Sequence, residues 1–242
     1  MTIVSFSGID GAGKSTQIGQ FECWLHELGL TTRLFTFWDD VVVLSPWREF
    51  MSYKAFKGER GVGSPQKPVQ RRDKNVTSFP VIAVRFFLYF ADALNLRRKV
   101  AQSRQSADDV VIFDRYIYDE LANLPLKRSL ARFFARFILR IIPKPDLAFV
   151  IDAHPDAAHA RKPEYPLEFV RRNREAYLAL ADLSATISVV PPGSLEAMQT
   201  RIREEATPKL PLQRLSHMKA ATILPSRVYP PANISRSEFI EP

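Results

Sequence analysis

The chain opens with an apolar run, residues 3–6, that leads into Ser7-Gly8-Ile9-Asp10-Gly11-Ala12-Gly13-Lys14-Ser15-Thr16 and a helical pattern. Gly8 and Gly13 enclose four residues and are followed directly by Lys14 and Ser15, which is the spacing of the P-loop. In such a loop, successive backbone N–H groups face phosphate oxygens, the lysine reaches the outer phosphates and the serine hydroxyl ligates Mg²⁺. The stretch therefore predicts a phosphate cradle between a strand and a helix, with contributions from Gly8, Gly11, Ala12, Gly13, Lys14, Ser15 and Thr16.

A second informative stretch is Asp114-Arg115-Tyr116, which follows an apolar run at residues 110–113. Such a continuous run is typical of a strand that is buried on both faces. A carboxylate at the carboxyl end of a neighbouring strand can hold Mg²⁺ through water and complete the coordination that Ser15 begins. Asp114 is therefore a candidate magnesium ligand, and Arg115 would face an anionic group in the same crevice. The alternative is an aspartate that caps a helix beside a surface arginine.

The composition limits the class of protein. A length of 242 residues with 46% hydrophobic content suits one α/β domain with an appendage better than two domains. The formal charge of +8 favours anionic partners: nucleotides, nucleic acid or an acidic membrane surface. A single cysteine, Cys23, excludes a disulfide framework, and we expect it to be at least half-buried in the first helix. The sequence shows no leader-like segment and no apolar run long enough to span a bilayer, so we expect a cytoplasmic protein.

Strand and helix patterns alternate along the chain, which predicts an α/β fold with a parallel sheet and helical crossovers. Five strands are expected, at residues 3–7, 31–37, 110–113, 147–151 and 186–190. Helices are expected at residues 14–28, 45–57, 79–103, 126–142, 156–161, 167–183 and 194–206, the last one capped by Ser194.

Two segments are predicted to lack regular structure. Residues 58–78 combine glycine and proline with several basic side chains, which favours a loop that is either a solvated excursion or a phosphate-contacting flap. Residues 207–242 are rich in proline and show no sustained period, which predicts an extended arm or a disordered tail. We therefore expect a domain at residues 1–206 and a C-terminal extension at residues 207–242.

Residues 126–142 predict an amphipathic helix with arginines at four-residue steps. We call these four residues the arginine stripe: Arg128, Arg132, Arg136 and Arg140. The apolar residues expected together on another side are Leu130, Phe133, Phe134, Phe137, Ile138 and Ile141. A solvated basic face is the preferred interpretation, so we expect neither a membrane nor a nucleic-acid partner, and contact with a membrane surface or nucleic acid is the alternative.

The order of these motifs resembles the thymidylate kinase family over about residues 1–206. Asp10 inside the phosphate loop, together with Asp-Arg-Tyr after a strand, is the specific part, because the loop alone is shared by many nucleotide-binding enzymes. The other matching positions are Pro145-Asp146-Leu147, Ile151-Asp152, Pro155, Arg161 and Tyr177-Leu178. The resemblance implies a P-loop kinase fold with five parallel strands, helices on both faces, a short lid at about residues 159–167 and a Pro-rich C-terminal arm.

The resemblance also implies an activity. Members of the family transfer the γ-phosphoryl group of ATP, bound with Mg²⁺, to a deoxynucleoside monophosphate, by default dTMP to dTDP. For this chain it implies a donor site at residues 8–16, an acceptor contact at Asp10 and an acceptor-side role for Arg115. Nucleotide substrates are the expected partners, and a homodimer is left open.

A cation beyond Lys14 is expected in the catalytic set, because phosphoryl transfer spreads negative charge over the equatorial oxygens. Gly11 and Ala12 in the loop cannot supply it. Arg161, or as second choice Lys162, is the best candidate, because both lie in a Pro-bounded segment that could fold over the nucleotide. The alternative is a solvated basic pair at a helix end.

Three departures from the family pattern bear on the acceptor. Ala93 stands where the family usually has an arginine that helps to hold the base, and Arg48, Arg72 or Arg85 are candidates to replace it. Leu121-Ala122-Asn123-Leu124 stands in place of the family's usual Ala-Tyr-Gln, and Phe37-Trp38-Asp39-Asp40 in place of its Arg-Glu-Pro-Gly-Gly. We therefore expect intact transfer chemistry with altered base recognition.

Three other functions are left open by the sequence. The first is a P-loop kinase of another phosphorylated or hydroxylated small molecule. The second is a non-catalytic nucleotide-binding switch, which is disfavoured because no Asn-Lys-x-Asp guanine-reading segment is found. The third is a nucleic-acid or membrane-surface binder, which would leave Asp10, Lys14 and Asp114 without a role.

Overall fold

A five-stranded parallel sheet forms the centre of the fold, in the order β2-β3-β1-β4-β5. This result confirms the predicted sheet. The strands are β1 (Thr2–Ser7), β2 (Thr32–Thr36), β3 (Val110–Asp114), β4 (Leu147–Ile151) and β5 (Ile187–Val190).

The computed structural model describes residues 1–44, 48 and 79–212. The helix predicted at residues 45–57, apart from Arg48, lies outside the described residues, as do the basic loop predicted at residues 58–78 and the predicted arm from residue 213 onward. Residues Met1–Leu210 form one compact unit.

The helices within the described residues agree with the predicted ones to within a few residues, with one short addition, α3. They are α1 (Lys14–Glu27), α2 (Phe79–Ser103), α3 (Ile117–Leu121), α4 (Ser129–Ile141), α5 (Pro155–Arg161), α6 (Leu167–Ala181) and α7 (Leu195–Ala206). A π-helical turn covers Phe37–Val41 and a 3₁₀ turn covers Thr207–Lys209. The predicted cap of α7 is confirmed, because the Ser194 hydroxyl accepts a hydrogen bond from the Ala197 amide at 3.2 Å.

The strand order places a crevice between β1 and β3. From β1 the chain passes beyond β3 to reach β2, and from β3 it later passes beyond β1 to reach β4. Phe6 near the end of β1 pairs with Asp114 at the end of β3. The connections thus leave β1 and β3 in opposite directions across the sheet. Open α/β sheets bind ligands where the direction of the connections reverses, outside the carboxyl ends of the strands. The phosphate loop and the Asp-Arg-Tyr motif therefore lie at the same edge of the sheet.

The first helix corrects the prediction for Cys23, which is exposed. The buried apolar face of α1 consists of Ile18, Phe21 and Leu25, at the spacing of one helical stripe. Cys23 lies midway in sequence between Phe21 and Leu25, so its side chain points away from that face.

Helix α4 corrects the prediction for its apolar side. Its buried residues are Ala131, Ala135, Ile138 and Leu139. Leu130, Phe133 and Phe137 are instead exposed. Hydrophobicity favours phenylalanine over alanine as a core residue, but the small alanine side chains let this face of the helix approach the core closely.

None of the helices in the described part of the chain combines the length and the apolar content needed to cross a bilayer.

Candidate active site

The phosphate loop connects β1 to α1 through three glycines with positive φ. Gly8, Gly11 and Gly13 have φ values of 138°, 80° and 92°. Gly13 is the N-cap residue of α1 in the left-handed conformation, so Lys14 is the first helical residue. Glycine reaches this conformation without the steric cost that a Cβ brings. The loop therefore presents the free N–H groups of a helix N-terminus beside its own amides.

Lys14 is folded back onto the loop. Its Nζ donates to the carbonyl oxygens of Gly8 and Ile9 at 3.0 and 2.9 Å and lies 3.9 Å from the Asp10 carboxylate. Burial, reinforced by the charge of Arg115, lowers the pKa of Lys14 to about 8. The amino group thus loses much of its hydration and has two backbone carbonyls as its closest partners.

The phosphate loop packs closely against the backbone of α5 and of the end of β4. A Cβ on Gly11 would stand 2.2 Å from the carbonyl oxygen of Ala158 in α5, and a Cβ on Gly8 would stand 2.4 Å from that of Ile151 in β4. Both distances are far below contact distance, and a backbone atom cannot move away as a side chain can. Glycine at these two positions is therefore what lets α5 and the end of β4 close over the loop.

This packing predicts an order of stability among three glycine-to-alanine variants. Gly19→Ala should stabilise by about 0.5–1 kcal/mol, because Gly19 is helical and no described residue lies within 4 Å of where an alanine Cβ would stand. Gly13→Ala should cost about 1–2 kcal/mol from its positive φ alone, since its Cβ would likewise meet none of the described residues. Gly11→Ala should cost more than Gly13→Ala, because the collision with Ala158 adds to the strain. Urea unfolding of the three variants measures the order, and equal losses for Gly11→Ala and Gly13→Ala would contradict the close packing of α5 on the loop.

Arg115 joins the phosphate loop to the second motif. Its backbone has φ 70°, and its amide donates to the Phe6 carbonyl at 2.9 Å. Its guanidinium donates to Asp119 Oδ1 at 2.6 Å and to Asp10 Oδ1. Burial opposes the charge of Arg115, but the two carboxylates outweigh it and raise the pKa of this guanidinium further. Arg115 is therefore a fixed cation between the loop and α3.

Asp119 was not among the residues expected from the sequence. Its carboxylate is buried, and besides Arg115 it accepts a hydrogen bond from the Ser7 hydroxyl at 2.7 Å. The four-residue spacing is not that of a helical ion pair, because Arg115 precedes α3 and has a positive φ, so the sequence carried no clear signal of this pair. Asp119 therefore binds one terminal nitrogen of the Arg115 guanidinium, and Asp10 binds the other.

The two predicted magnesium ligands have unused oxygen atoms. Asp114 ends β3 beside the end of β1, and no described residue forms a hydrogen bond or ion pair with its carboxylate. Partial burial raises the pKa of Asp114, although Arg115 and Lys14 oppose this shift. Ser15 in the first turn of α1 is exposed, and its hydroxyl also has no partner among the described residues.

A pocket opens next to Asp10 and Arg115. Its polar lining also includes Asp119, Asn123 and Asn173. Its apolar lining comes from the loop, the π-helical turn, the residue Tyr165 before α6 and α6 itself: Ile9, Trp38, Tyr165, Phe169, Val170 and Tyr177. Of these, Ile9 belongs to the predicted phosphate loop, Trp38 stands among the departures from the family pattern, and Tyr177 is one of the positions that carry the resemblance. The pocket has the aromatic walls and the few convergent polar groups of a small-molecule site.

The predicted lid segment spans the end of α5 and the start of α6. Arg161 is exposed at the last position of α5, and its Nε donates a hydrogen bond to the Ala157 carbonyl at 3.2 Å. Lys162 instead forms an ion pair with Glu164 at 3.3 Å. Arg161 follows Ala158 by three residues, so it lies on the side of α5 that meets Gly11.

Arg48 is committed to a buried cluster. Its guanidinium donates to Asp92 and, at 2.8 Å, to Glu120. Both carboxylates are almost fully buried, and burial together with the charge of Asp92 raises the pKa of Glu120 well above its ordinary value. Arg48 is thus engaged by these two buried carboxylates, and it does not belong to the residues that line the pocket.

Arg85 lies closer to the pocket. Its Nη1 is 3.4 Å from the carbonyl oxygen of Asn123, a lining residue. Ala93, which replaces the family's arginine, is fully buried. Arg72 lies outside the described residues.

A P-loop at the crevice of a five-stranded parallel sheet, beside a pocket of this kind, defines the class: the chain is a P-loop kinase. No model of a known protein family matches it. It is 30% identical over 189 residues to a probable thymidylate kinase of Pyrobaculum aerophilum, covering 75% of this chain and 83% of that protein.

Two further relatives agree. The chain is 25% identical over 223 residues to a probable thymidylate kinase of Archaeoglobus fulgidus, covering 89% of this chain and 100% of the relative. It is 28% identical over 163 residues to a thymidylate kinase of Chlorobaculum tepidum, covering 66% of each. The chain belongs to the thymidylate kinase family, and it is a nucleoside monophosphate kinase. The roles of the individual site residues stay predictions.

Proposed function

We propose that the enzyme transfers the γ-phosphoryl group of ATP, bound with Mg²⁺, to thymidylate and releases ADP and dTDP. One observation carries the proposal: Asp10 belongs to the phosphate loop, is bonded to Arg115 and lines the pocket together with it. A donor in the loop and an acceptor in the pocket would therefore be neighbours, as in-line transfer requires. The names of the relatives support thymidylate as the acceptor.

The donor site is the loop at residues 8–16. Its amides and the N-terminus of α1 would hold the phosphates, and Lys14 would exchange the carbonyls of Gly8 and Ile9 for phosphate oxygens. This exchange is favourable because the carbonyls carry only a dipole, whereas a phosphate carries full negative charge. The fold thus holds Lys14 beside the loop until the nucleotide arrives.

The magnesium site would be formed by Ser15 and Asp114. The described residues hold no cluster of three or more His, Cys, Asp or Glu that could cage a metal. One carboxylate and one hydroxyl with unused oxygens fit Mg²⁺, which keeps several waters and takes further ligands from phosphates. Mg²⁺ there would neutralise charge that develops on the phosphate oxygens. A nearby cation would also offset the desolvation that raises the pKa of Asp114.

The acceptor site is the pocket. Arg115 is held by Asp10 and Asp119, so it would offer an oriented guanidinium in the lining of the pocket. Trp38 and Phe169 supply aromatic surface for a base, and the amides of Asn123 and Asn173 supply polar groups. Arg85 is the best-placed replacement for the family's base-holding arginine, because it reaches the Asn123 carbonyl.

The lid contributes Arg161. Its exposed guanidinium lies on the helix that packs on Gly11, so a small movement of α5 would bring it to the transferred phosphoryl group. Lys162 is the weaker candidate, because Glu164 already pairs with it.

The test is a coupled ADP-release assay with MgATP against thymidylate, other nucleoside monophosphates and free nucleosides. The proposal predicts release with thymidylate above all other acceptors, none without Mg²⁺, and none from the Asp114→Ala variant at low Mg²⁺. ADP release with a different acceptor would support the kinase chemistry and contradict thymidylate as the acceptor. If ATP binds but none of the acceptors causes ADP release, the protein binds nucleotide without this activity.

A further inference from the structure

The two carboxylates that bind Arg115 differ in how far solvent reaches them. Arg115 Nη1 donates to Asp119 Oδ1 at 2.6 Å, and Nη2 donates to Asp10 Oδ1. The Asp119 side chain is 2% exposed, whereas the Asp10 side chain is 18% exposed. A ligand that enters the pocket therefore reaches Asp10 more readily than Asp119.

Asp119 is bound through its side chain and through its backbone. Its Oδ1 binds Arg115, and its Oδ2 accepts a hydrogen bond at 2.7 Å from the hydroxyl of Ser7, the last residue of β1. Its amide donates to the Tyr116 carbonyl at 3.0 Å, and its carbonyl accepts from Asn123 Nδ2 at 2.8 Å. To leave Arg115, this buried carboxylate would have to give up its opposite charge, which is costly.

Asp10 has a second cation within reach. Its Oδ1, the atom that accepts from Arg115, lies 3.9 Å from Lys14 Nζ. Burial alone would lower the pKa of Arg115, and of the two carboxylates that outweigh this effect Asp119 contributes more than Asp10. Asp119 is thus the stronger partner of Arg115, and Asp10 is the partner that can be exchanged.

We propose that Asp119 is a positioning residue for the acceptor: it keeps Arg115 in place when the acceptor phosphate replaces Asp10 at Nη2. The phosphate and Asp10 carry charge of the same sign, so they compete for the guanidinium on its pocket side. Asp119 holds the other terminal nitrogen, and the planar guanidinium then keeps one orientation. This inference rests on the proposed function, because it needs an acceptor that carries a phosphate.

The charge of Asp119 and its positioning effect act on the acceptor in opposite directions. If Asp119 acted only through its charge, its loss would tighten the binding of a phosphate, because like charges repel. If Asp119 positions Arg115, its loss weakens binding, because the acceptor itself must then order the guanidinium. The sign of the change in acceptor affinity therefore separates the two effects.

The test is Asp119→Asn, which removes the charge, nearly keeps the shape and can still form a hydrogen bond with Ser7. In the ADP-release assay with thymidylate, KM for the acceptor should rise by about 10- to 100-fold, the effect of losing one hydrogen bond between charged groups. KM for ATP should not change, because the loop at residues 8–16 is untouched. Titration of thymidylate without ATP should show the same loss of affinity, which separates binding from turnover.

A second variant keeps the proposal testable if Asp119→Asn does not fold. Asp119→Glu keeps the charge but adds one methylene, so it would displace the guanidinium of Arg115. It should also raise KM for the acceptor and leave KM for ATP unchanged. Thermal unfolding of both variants checks that they are folded at the temperature of the assay.

The matched control is Asp109→Asn, which makes the same substitution and the same change in net charge. Asp109 directly precedes β3, at the edge of the sheet opposite the pocket, and its carboxylate accepts from the amide and the hydroxyl of Thr31 at 3.0 Å each. It should leave both KM values unchanged. Ser7→Ala removes the other hydrogen bond of the Asp119 carboxylate but keeps its pair with Arg115, so it should raise acceptor KM much less than Asp119→Asn.

A double-mutant cycle identifies the partner through which Asp119 acts. Arg115→Gln should raise KM for the acceptor by itself, and adding Asp119→Asn should raise it no further. The inference is overturned if Asp119→Asn leaves acceptor affinity unchanged or tightens it, or if it raises both KM values equally. It is also overturned if Asp119→Asn has its full effect in the Arg115→Gln background.

Failure of this inference can be told apart from failure of the proposed function. If the parent phosphorylates thymidylate and Asp119→Asn does so with the same acceptor KM, only the role of Asp119 is rejected. If the parent uses another nucleoside monophosphate, the same comparisons with that acceptor decide the role of Asp119. If the parent binds no nucleoside monophosphate, the proposed function and this inference are both rejected.

Discussion

Arg161→Ala is expected to lower kcat by about 10³-fold or more, while KM for ATP changes by no more than a few-fold. Bound ATP would be held by the loop amides, Lys14 and Mg²⁺, so the loss of Arg161 should change the affinity for ATP only slightly. Charge on the transferred phosphoryl group is spread over its equatorial oxygens in the transition state, where a mobile guanidinium helps most. Loss of an interaction made only in the transition state lowers kcat and kcat/KM together.

Two control variants test whether the loss of kcat is specific to Arg161. Lys162→Ala removes the neighbouring cation, which is paired with Glu164, and should have a much smaller effect on kcat. Arg172→Ala removes an exposed arginine of α6 that pairs with Glu168 and should leave kcat unchanged. Steady-state kinetics measure all three. Equal turnover in Arg161→Ala and the parent, or a loss confined to KM, would remove Arg161 from the catalytic set.

Lys14→Met is expected to abolish ADP release and, without nucleotide, to stabilise the protein at pH 7. Burial lowers the pKa of Lys14 from 10.5 to about 8, so the folded state holds the charged amino group at a cost. That cost is at most about 3 kcal/mol below pH 8, where Lys14 is charged in both the folded and the unfolded chain. A methionine of similar length avoids this cost, which exceeds the roughly 1 kcal/mol that each of the two lost hydrogen bonds to the Gly8 and Ile9 carbonyls contributes, so the variant should be the more stable protein.

The same pKa shift gives a pH dependence with a defined sign. Between pH 8 and 10.5 the unfolded chain keeps the proton on Lys14 and the folded protein releases it, so this group makes stability rise with pH. Urea unfolding at a series of pH values should therefore show the advantage of Lys14→Met shrinking across this window. Lys14→Arg keeps the charge at every pH and should show no such rise. A Lys14→Met variant that is less stable than the parent at pH 7 would contradict the account of Lys14.

The sheet and the phosphate loop could be predicted because local sequence specifies them. The spacing of Gly8, Gly13 and Lys14 admits few backbone geometries, and the apolar runs of β3 and β4 suit strands that are buried on both faces. That the phosphate loop and the Asp-Arg-Tyr motif share one edge followed from the rule that parallel strands end together, whereas the order of the strands was not predicted.

The pocket and the surface of α4 could not be predicted in the same way. Asp119 meets Ser7 across 112 positions of sequence, and no local pattern encodes a contact of that separation. In α4, two neighbouring stripes are both apolar, and the one with alanines packs inward because the space available there is small.

The most direct measurement is a crystal structure of the enzyme with a non-hydrolysable ATP analogue, Mg²⁺ and thymidylate. The account predicts the triphosphate on the amides of residues 8–16, Lys14 Nζ moved from the Gly8 and Ile9 carbonyls to phosphate oxygens, and Asp114 bonded to a water of the metal. Thymidylate should lie against Asp10 and Arg115. At saturating nucleotide, a Lys14 that still caps the loop carbonyls, with Asp114 turned away from an empty cradle, would contradict the account.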